Sequence, residues 1–75
     1  MITYVTVQIS SEGAKASKVN EIMTEIGFEA TLGTHDFMYK WKEKNITAER
    51  VISFVDSVQA KMKGTGVMMH FTTIR

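Results

Sequence analysis

The alternation of apolar and polar residues predicts four β-strands, and two segments of helical periodicity lie between them. The first strand is expected over Ile2–Ile9, where apolar residues recur at every second position. The second and third strands are "FEATL" and "DFMYKWK", joined by a hairpin at the polar, glycine-containing "GTHD". The fourth strand is "VMMHFTTI".

The first helix is predicted from an apolar stripe at the spacing of one helical face. Its members are Val19, Ile22, Met23 and Ile26. Ser10 and Ser11 are expected to cap the start of this helix, because a serine oxygen accepts hydrogen bonds from the free N–H groups of a first turn. Gly27 is expected to end it in a left-handed conformation.

The second helix has a clearer start signal. Thr47 is expected to be its N-cap, with Ile46 and Val51 in contact across the cap, and Gly64 to stop the helix at its far end. Its predicted buried stripe is Val51, Phe54, Val55, Val58 and Met62.

The element order is therefore β-α-β-β-α-β, which is typical of the α+β ferredoxin-like plait. Right-handed crossovers place both helices on one face of a four-stranded antiparallel sheet with strand order 4-1-3-2. The chain of 75 residues is expected to form this single domain over residues 1–75. The other face of the sheet remains open.

The segment "DFMYKWK" decides which side chains reach that open face. If Lys40 and Lys42 pointed inward, two ammonium groups would enter a thin core, and burying one unpaired charge costs several kcal/mol. Turning Phe37, Tyr39 and Trp41 inward buries three rings instead, each worth roughly 1.5–3 kcal/mol. We therefore expect the rings to face the helices and the lysines to face the open side.

The same alternation divides the other strands. The expected inward residues are Val5, Val7, Ile9, Phe28, Ala30, Leu32, Val67, Met69 and Phe71. The candidate interaction residues on the open face are Tyr4, Thr6, Gln8, Met38, Lys40, Lys42, Met68 and His70. Tyr4, Met38 and Met68 are apolar spots in a polar frame, and methionine adapts to many partners.

A second candidate site is the loop after the first strand. It carries Ser10, Ser11, Gly13 and Lys15 before a helix N-terminus, where free N–H groups attract anions. Simple helix capping is the alternative explanation for these residues.

Other features exclude whole classes of function. The chain has no cysteine, so thiolate metal sites, disulfides and cysteine nucleophiles are excluded. His35, beside Asp36, is typical of turn chemistry, and His70 has no second ligand at a fixed spacing, so no metal is expected. No catalytic set and no cofactor motif is recognisable.

The net charge of +1 gives no general attraction to nucleic acid or to anionic membranes. The opening "MITYVTVQIS" is typical of a strand rather than a signal peptide, and no apolar segment is long enough to span a bilayer. Together with the lack of cysteine, this favours the cytoplasm.

In layout, "TYVTVQIS", "EIMTEIGFEA", "ITAERVISFVDSV" and "HFTTI" resemble the GhoS antitoxin family. The resemblance implies a ferredoxin-like endoribonuclease that cleaves a toxin messenger RNA. It covers most of the chain but matches no catalytic residue, so it implies no site residues here.

Three functions therefore remain open. The first is a non-catalytic interaction module that acts through the open sheet face or a strand edge, with a second copy or another protein as partner. The alternative is a GhoS-like RNA-binding protein or ribonuclease. The third is the binding of a small anion by the segment of residues 10–18.

Overall fold

The predicted order of elements is present in the structure, a computed structural model that describes residues 1–10, 12–13, 15–31, 33 and 35–75. The elements are β1 (Ile2–Gln8), α1 (Ala16–Ile26), β2 (Glu29–Ala30), β3 (Phe37–Lys40), α2 (Ala48–Lys61) and β4 (Met68–Ile74). All neighbouring strands are antiparallel, and the sheet order is β2-β3-β1-β4. Read in reverse, this is the predicted order 4-1-3-2, so the α+β ferredoxin-like layout is confirmed.

The predicted inward orientation of the aromatic residues in β3 and of Trp41, which directly follows β3, is also confirmed. Phe37 and Trp41 are each only 8% exposed, and Tyr39 packs partly buried against the same core. Phe54 of α2 lies among these rings, with centroid distances of 4.4 Å to Tyr39, 5.0 Å to Trp41 and 5.7 Å to Phe28. Buried residues of both helices belong to this one cluster, so both helices cover the same face of the sheet.

The buried indole of Trp41 has a hydrogen-bond partner. Its Nε1 donates to Thr3 Oγ1 at 2.8 Å, and the Thr3 and Thr73 hydroxyls lie 2.8 Å apart. Thr3 is completely buried, so these two contacts satisfy a hydroxyl that burial would otherwise penalise. The same contacts join the residue that follows β3 to β1 and β4 on the helix side of the sheet.

The start of α1 differs from the prediction. The helix begins at Ala16 with Lys15 at the N-cap position, and the Lys15 side chain makes no capping hydrogen bond. Ser10 lies too early in the chain, and its Oγ accepts a hydrogen bond from the Glu12 N–H at 3.2 Å, within its own turn. The prediction that Ser10 caps α1 is wrong, and Ser11 lies outside the described residues.

The other helix ends agree better with the sequence. Gly27 has a φ of 117° and donates its N–H to the carbonyls of Met23 and Thr24, as a left-handed C-cap does. The Thr47 side chain accepts a hydrogen bond from the Arg50 N–H at 3.1 Å. The α2 helix ends earlier than predicted, at Lys61, with Met62 rather than Gly64 at its C-cap position.

Two residues expected in the core are exposed. Ile9 lies beyond the end of β1 and is 43% exposed. Ala30 is exposed because β2 contains only two residues and forms the outermost strand of the sheet. Leu32, which was also expected inside, lies outside the described residues.

Candidate interaction surface

The strand register places most predicted open-face residues in rows across the sheet. Tyr4 on central β1 lies between Met38 of β3 and Thr72 of β4. Thr6 lies opposite His70, and Gln8 lies opposite Met68. Tyr4, Thr6 and His70 are therefore close neighbours, and Met38 and Met68 lie at opposite ends of the surface.

The two predicted lysines, Lys40 and Lys42, form a separate group at the C-terminal end of β3. Lys40 Nζ lies 3.7 Å from Glu29 Oε2, and both side chains are exposed. Lys42 follows the end of β3 and is exposed as well. Exposed ion pairs contribute about 0–1 kcal/mol, so the Lys40 pair is readily replaced by another anion.

His35 also lies on the open face, although the sequence pattern predicts only a turn residue at this position. Its ring stacks on Tyr4 with centroids 4.7 Å apart and an interplanar angle of 27°. Its Nδ1 also lies 3.4 Å from Thr6 Oγ1. The interpretation of His35 as turn chemistry alone is therefore wrong.

Asp36 explains how His35 reaches this position. Its Oδ2 accepts the Val7 N–H at 2.7 Å, so a side chain replaces a backbone acceptor next to β1. On the other side, Thr31 donates its backbone N–H to the Asp36 carbonyl at 3.0 Å and its hydroxyl to the His35 carbonyl. These contacts interrupt the alternation of side chains between the two sheet faces directly before β3, so His35 lies on the open face. The only sequence signal was an aspartate directly before the strand, which also suits an ordinary turn.

Both histidines of the chain consequently lie next to Thr6. His35 approaches its hydroxyl from the β3 side, and His70 lies opposite it on β4. The His35 imidazole beside the Thr6 hydroxyl, with the second imidazole on the neighbouring strand, offers groups that can donate and accept protons for a bound ligand. Within the described part of the chain, no group of three or more histidine, cysteine or acidic side chains is arranged to hold a metal ion.

Exposed apolar side chains are concentrated along β4. Among the described residues, the large hydrophobic side chains that are exposed are Ile9, Ile52, Met68 and Ile74. Met68 and Ile74 are the two ends of β4 and are 69% and 53% exposed. Ile52 of α2 lines a shallow groove of about 320 Å³ together with Thr73 of β4.

The two edges of the sheet are very different. On one side, β2 has two residues, and Glu29 places a charge there. On the other side, β4 has seven residues, "MMHFTTI", with no lysine, arginine, acidic residue or proline. Short strands and charges are the usual protection of a sheet edge against pairing with another chain. β2 has this protection, whereas β4 lacks it.

The predicted anion loop remains a prediction. Gly13 donates its N–H to the Ser10 carbonyl at 3.1 Å, and a Cβ at Gly13 would lie 2.5 Å from the Thr65 carbonyl oxygen. The glycine is therefore explained by close contact with the loop before β4. Lys15 is exposed at the start of α1.

No helix within the described ranges is long and apolar enough to cross a membrane. Comparison of the chain with protein-family models, with curated proteins and with solved structures gives no match.

Proposed function

We propose that the chain is a non-catalytic interaction module that assembles with a second copy of itself along the outer edge of β4. One observation carries this proposal: Met68 and Ile74, at the two ends of the uncharged edge strand β4, are 69% and 53% exposed, and Ile52, which shares a groove with Thr73 of that strand, is 60% exposed. An exposed, apolar edge strand is a ready template for pairing with another β-strand.

A second copy is the partner that the charge distribution favours. β4 carries no lysine, arginine, aspartate or glutamate, so two copies meet there without like-charge repulsion. Pairing also satisfies the outward backbone groups of both strands. A foreign strand would need the same apolar pattern, whereas the chain already supplies it.

The test is the mass in solution as the protein concentration increases. We expect light scattering to give twice the mass of the chain in the micromolar range. A mass equal to one chain at high micromolar concentration would contradict the proposal.

The cytoplasm is the compartment that we propose for this module. The cysteine-free composition supports it, since such a chain needs no oxidising environment for disulfide formation.

A second candidate function is binding or cleavage of single-stranded RNA, and the Tyr4–His35 stack favours it. Aromatic and imidazole rings on an open sheet can stack on unpaired bases. Lys40 and Lys42 would contact phosphates, and His35 and His70 would be the candidate proton donor and acceptor on either side of Thr6.

This candidate predicts salt-dependent RNA affinity. Replacing Lys40 and Lys42 with alanine is expected to reduce the slope of log affinity against log salt by about 1.4, since each of the two lost phosphate contacts with a single strand contributes roughly 0.7. Fluorescence anisotropy with a labelled single strand measures this slope. Lys61→Ala/Lys63→Ala removes the same charge at the end of α2 and is the control. An undetectable affinity of the unmodified protein at low salt would exclude this function.

A further inference from the structure

We infer that two copies pair through β4 in one antiparallel register, with Phe71 on the two-fold axis, to form a continuous eight-stranded sheet. This inference rests on the proposed self-association and specifies its geometry. In a two-fold interface the same patch is used on both chains, so the strand must be complementary to itself. The hydrogen-bonding pattern, the side chains and the neighbouring grooves each limit which register is possible.

The hydrogen-bonding direction alternates along the sheet. Trp41 donates its N–H to the Met1 carbonyl, so the odd-numbered residues of β1 have their backbone groups turned toward β3. The even-numbered residues of β1 are therefore turned toward β4, where their register partners are also even-numbered. On β4 this leaves Met69, Phe71 and Thr73 with backbone groups that point away from the sheet.

These outward groups must meet outward groups of the second copy. Among registers in which most of β4 is paired, this requirement is met only when the two-fold axis passes through His70, Phe71 or Thr72. If the pairing is shifted by one residue from any of these registers, outward backbone groups of one copy lie opposite inward groups of the other. The open face of one copy would then also continue into the helix side of the other.

Centring on Phe71 pairs all seven residues of β4 with β4 of the second copy. On the open face, Met68 lies opposite Ile74 of the second copy, so the two exposed large apolar residues of the strand cover each other at both ends. His70 lies opposite Thr72 of the second copy. No two like charges face each other directly.

The two other registers lack this complementarity. Centring on His70 places the two imidazoles opposite each other and leaves Ile74 beyond the paired segment. Centring on Thr72 leaves Met68 beyond the paired segment. In each case, one large apolar side chain remains exposed.

The helix side supports the same register. Met69 of the second copy lies opposite Thr73, which lines the groove of about 320 Å³ formed with Val51 and Ile52. The groove at the other end of β4 is lined by Met69 itself and Val67 and receives Thr73 of the second copy. A flexible methionine can fill an irregular groove of this kind.

Disulfide formation between single-cysteine variants tests the register, because the chain has no cysteine of its own. In the proposed register, positions 70 and 72 face each other as a pair without hydrogen bonds between them, with Cα atoms about 4.5 Å apart. That distance suits a disulfide. We would mix His70→Cys protein with a tagged Thr72→Cys protein, oxidise the mixture mildly and resolve the products on a non-reducing gel.

We expect the mixed His70→Cys/Thr72→Cys dimer to form at least about tenfold faster than either homodimer. Lys42→Cys, exposed at the β3 end, measures random collision. A dominant His70→Cys homodimer would indicate the register centred on His70, and a dominant Thr72→Cys homodimer the register centred on Thr72; either result overturns the inference. If the His70→Cys and Thr72→Cys proteins form disulfides no faster than Lys42→Cys while light scattering still gives a dimer, the β4 register is overturned but self-association still holds. A monomer by light scattering would overturn both.

Discussion

Replacing Phe54 with alanine is expected to lower the free energy of unfolding by about 3–5 kcal/mol, the usual range for removing a buried phenylalanine. Phe54 is only 9% exposed, and its ring contacts the rings of Phe28, Tyr39 and Trp41. Alanine would leave a cavity at the point where α2 meets the aromatic residues of β3. Because small domains have about 5–15 kcal/mol in total, this one change removes a large part of the stability.

Urea denaturation followed by circular dichroism measures this loss, at a protein concentration low enough to keep the chain monomeric. Ile52→Ala is the matched control on the same helix, since Ile52 is 60% exposed and should contribute at most about 1 kcal/mol. Equal losses for the two variants would mean that the rings of β3 do not form the centre of the core.

The double variant Met68→Lys/Ile74→Lys is expected to weaken self-association at least about 100-fold. Full burial of one such apolar side chain contributes roughly 1.5–3 kcal/mol, and a two-fold dimer loses four of them. The change also places lysines opposite each other in the paired strands. Natural sheets use lysines on their edge strands in the same way, to prevent pairing with another chain. Both positions are exposed in the single chain, so the fold itself should tolerate the change.

Asn20→Lys/Thr24→Lys is the control for added charge. Both residues are exposed on α1, and the change adds the same two positive charges away from β4. Sedimentation velocity should give an unchanged dissociation constant for this control. If the control weakens association as much as the β4 variant, net charge rather than the β4 edge governs assembly.

The fold could be predicted from the sequence wherever one physical term was much larger than its competitors. Burying the unpaired charges of Lys40 and Lys42 would be strongly unfavourable, whereas burying three rings is favourable. The structure accordingly has Phe37 and Trp41 in the core. The left-handed C-cap at Gly27 followed from the conformational freedom of glycine.

Prediction failed where competing local terms were of similar size. The "FEATL" segment alternates as a strand should, yet β2 contains only two residues and Ala30 is exposed. A serine cap contributes only about 1 kcal/mol, and α1 begins at Ala16 after an exposed lysine whose side chain makes no capping hydrogen bond. Local propensity alone could not fix either boundary.

The composition of the candidate surface was predicted in part. Tyr4, Thr6 and His70 are neighbours as strand alternation implied, whereas His35 joins them through a contact between Asp36 and the Val7 N–H. In this contact a carboxylate takes the place of a backbone carbonyl as hydrogen-bond acceptor. It forms only because the fold brings Asp36 next to Val7, which the sequence pattern does not show. The concentration of exposed apolar residues beside β4 likewise requires the sheet order and the burial of each residue.

Sedimentation velocity of the unmodified protein and of Met68→Lys/Ile74→Lys, over a concentration series up to the high micromolar range, tests the role of β4 most directly. We predict that the unmodified protein shifts from one chain to two as its concentration rises, while the double variant remains a single chain throughout. A single chain for both proteins at every concentration, or two chains for both, would contradict assembly through the β4 edge.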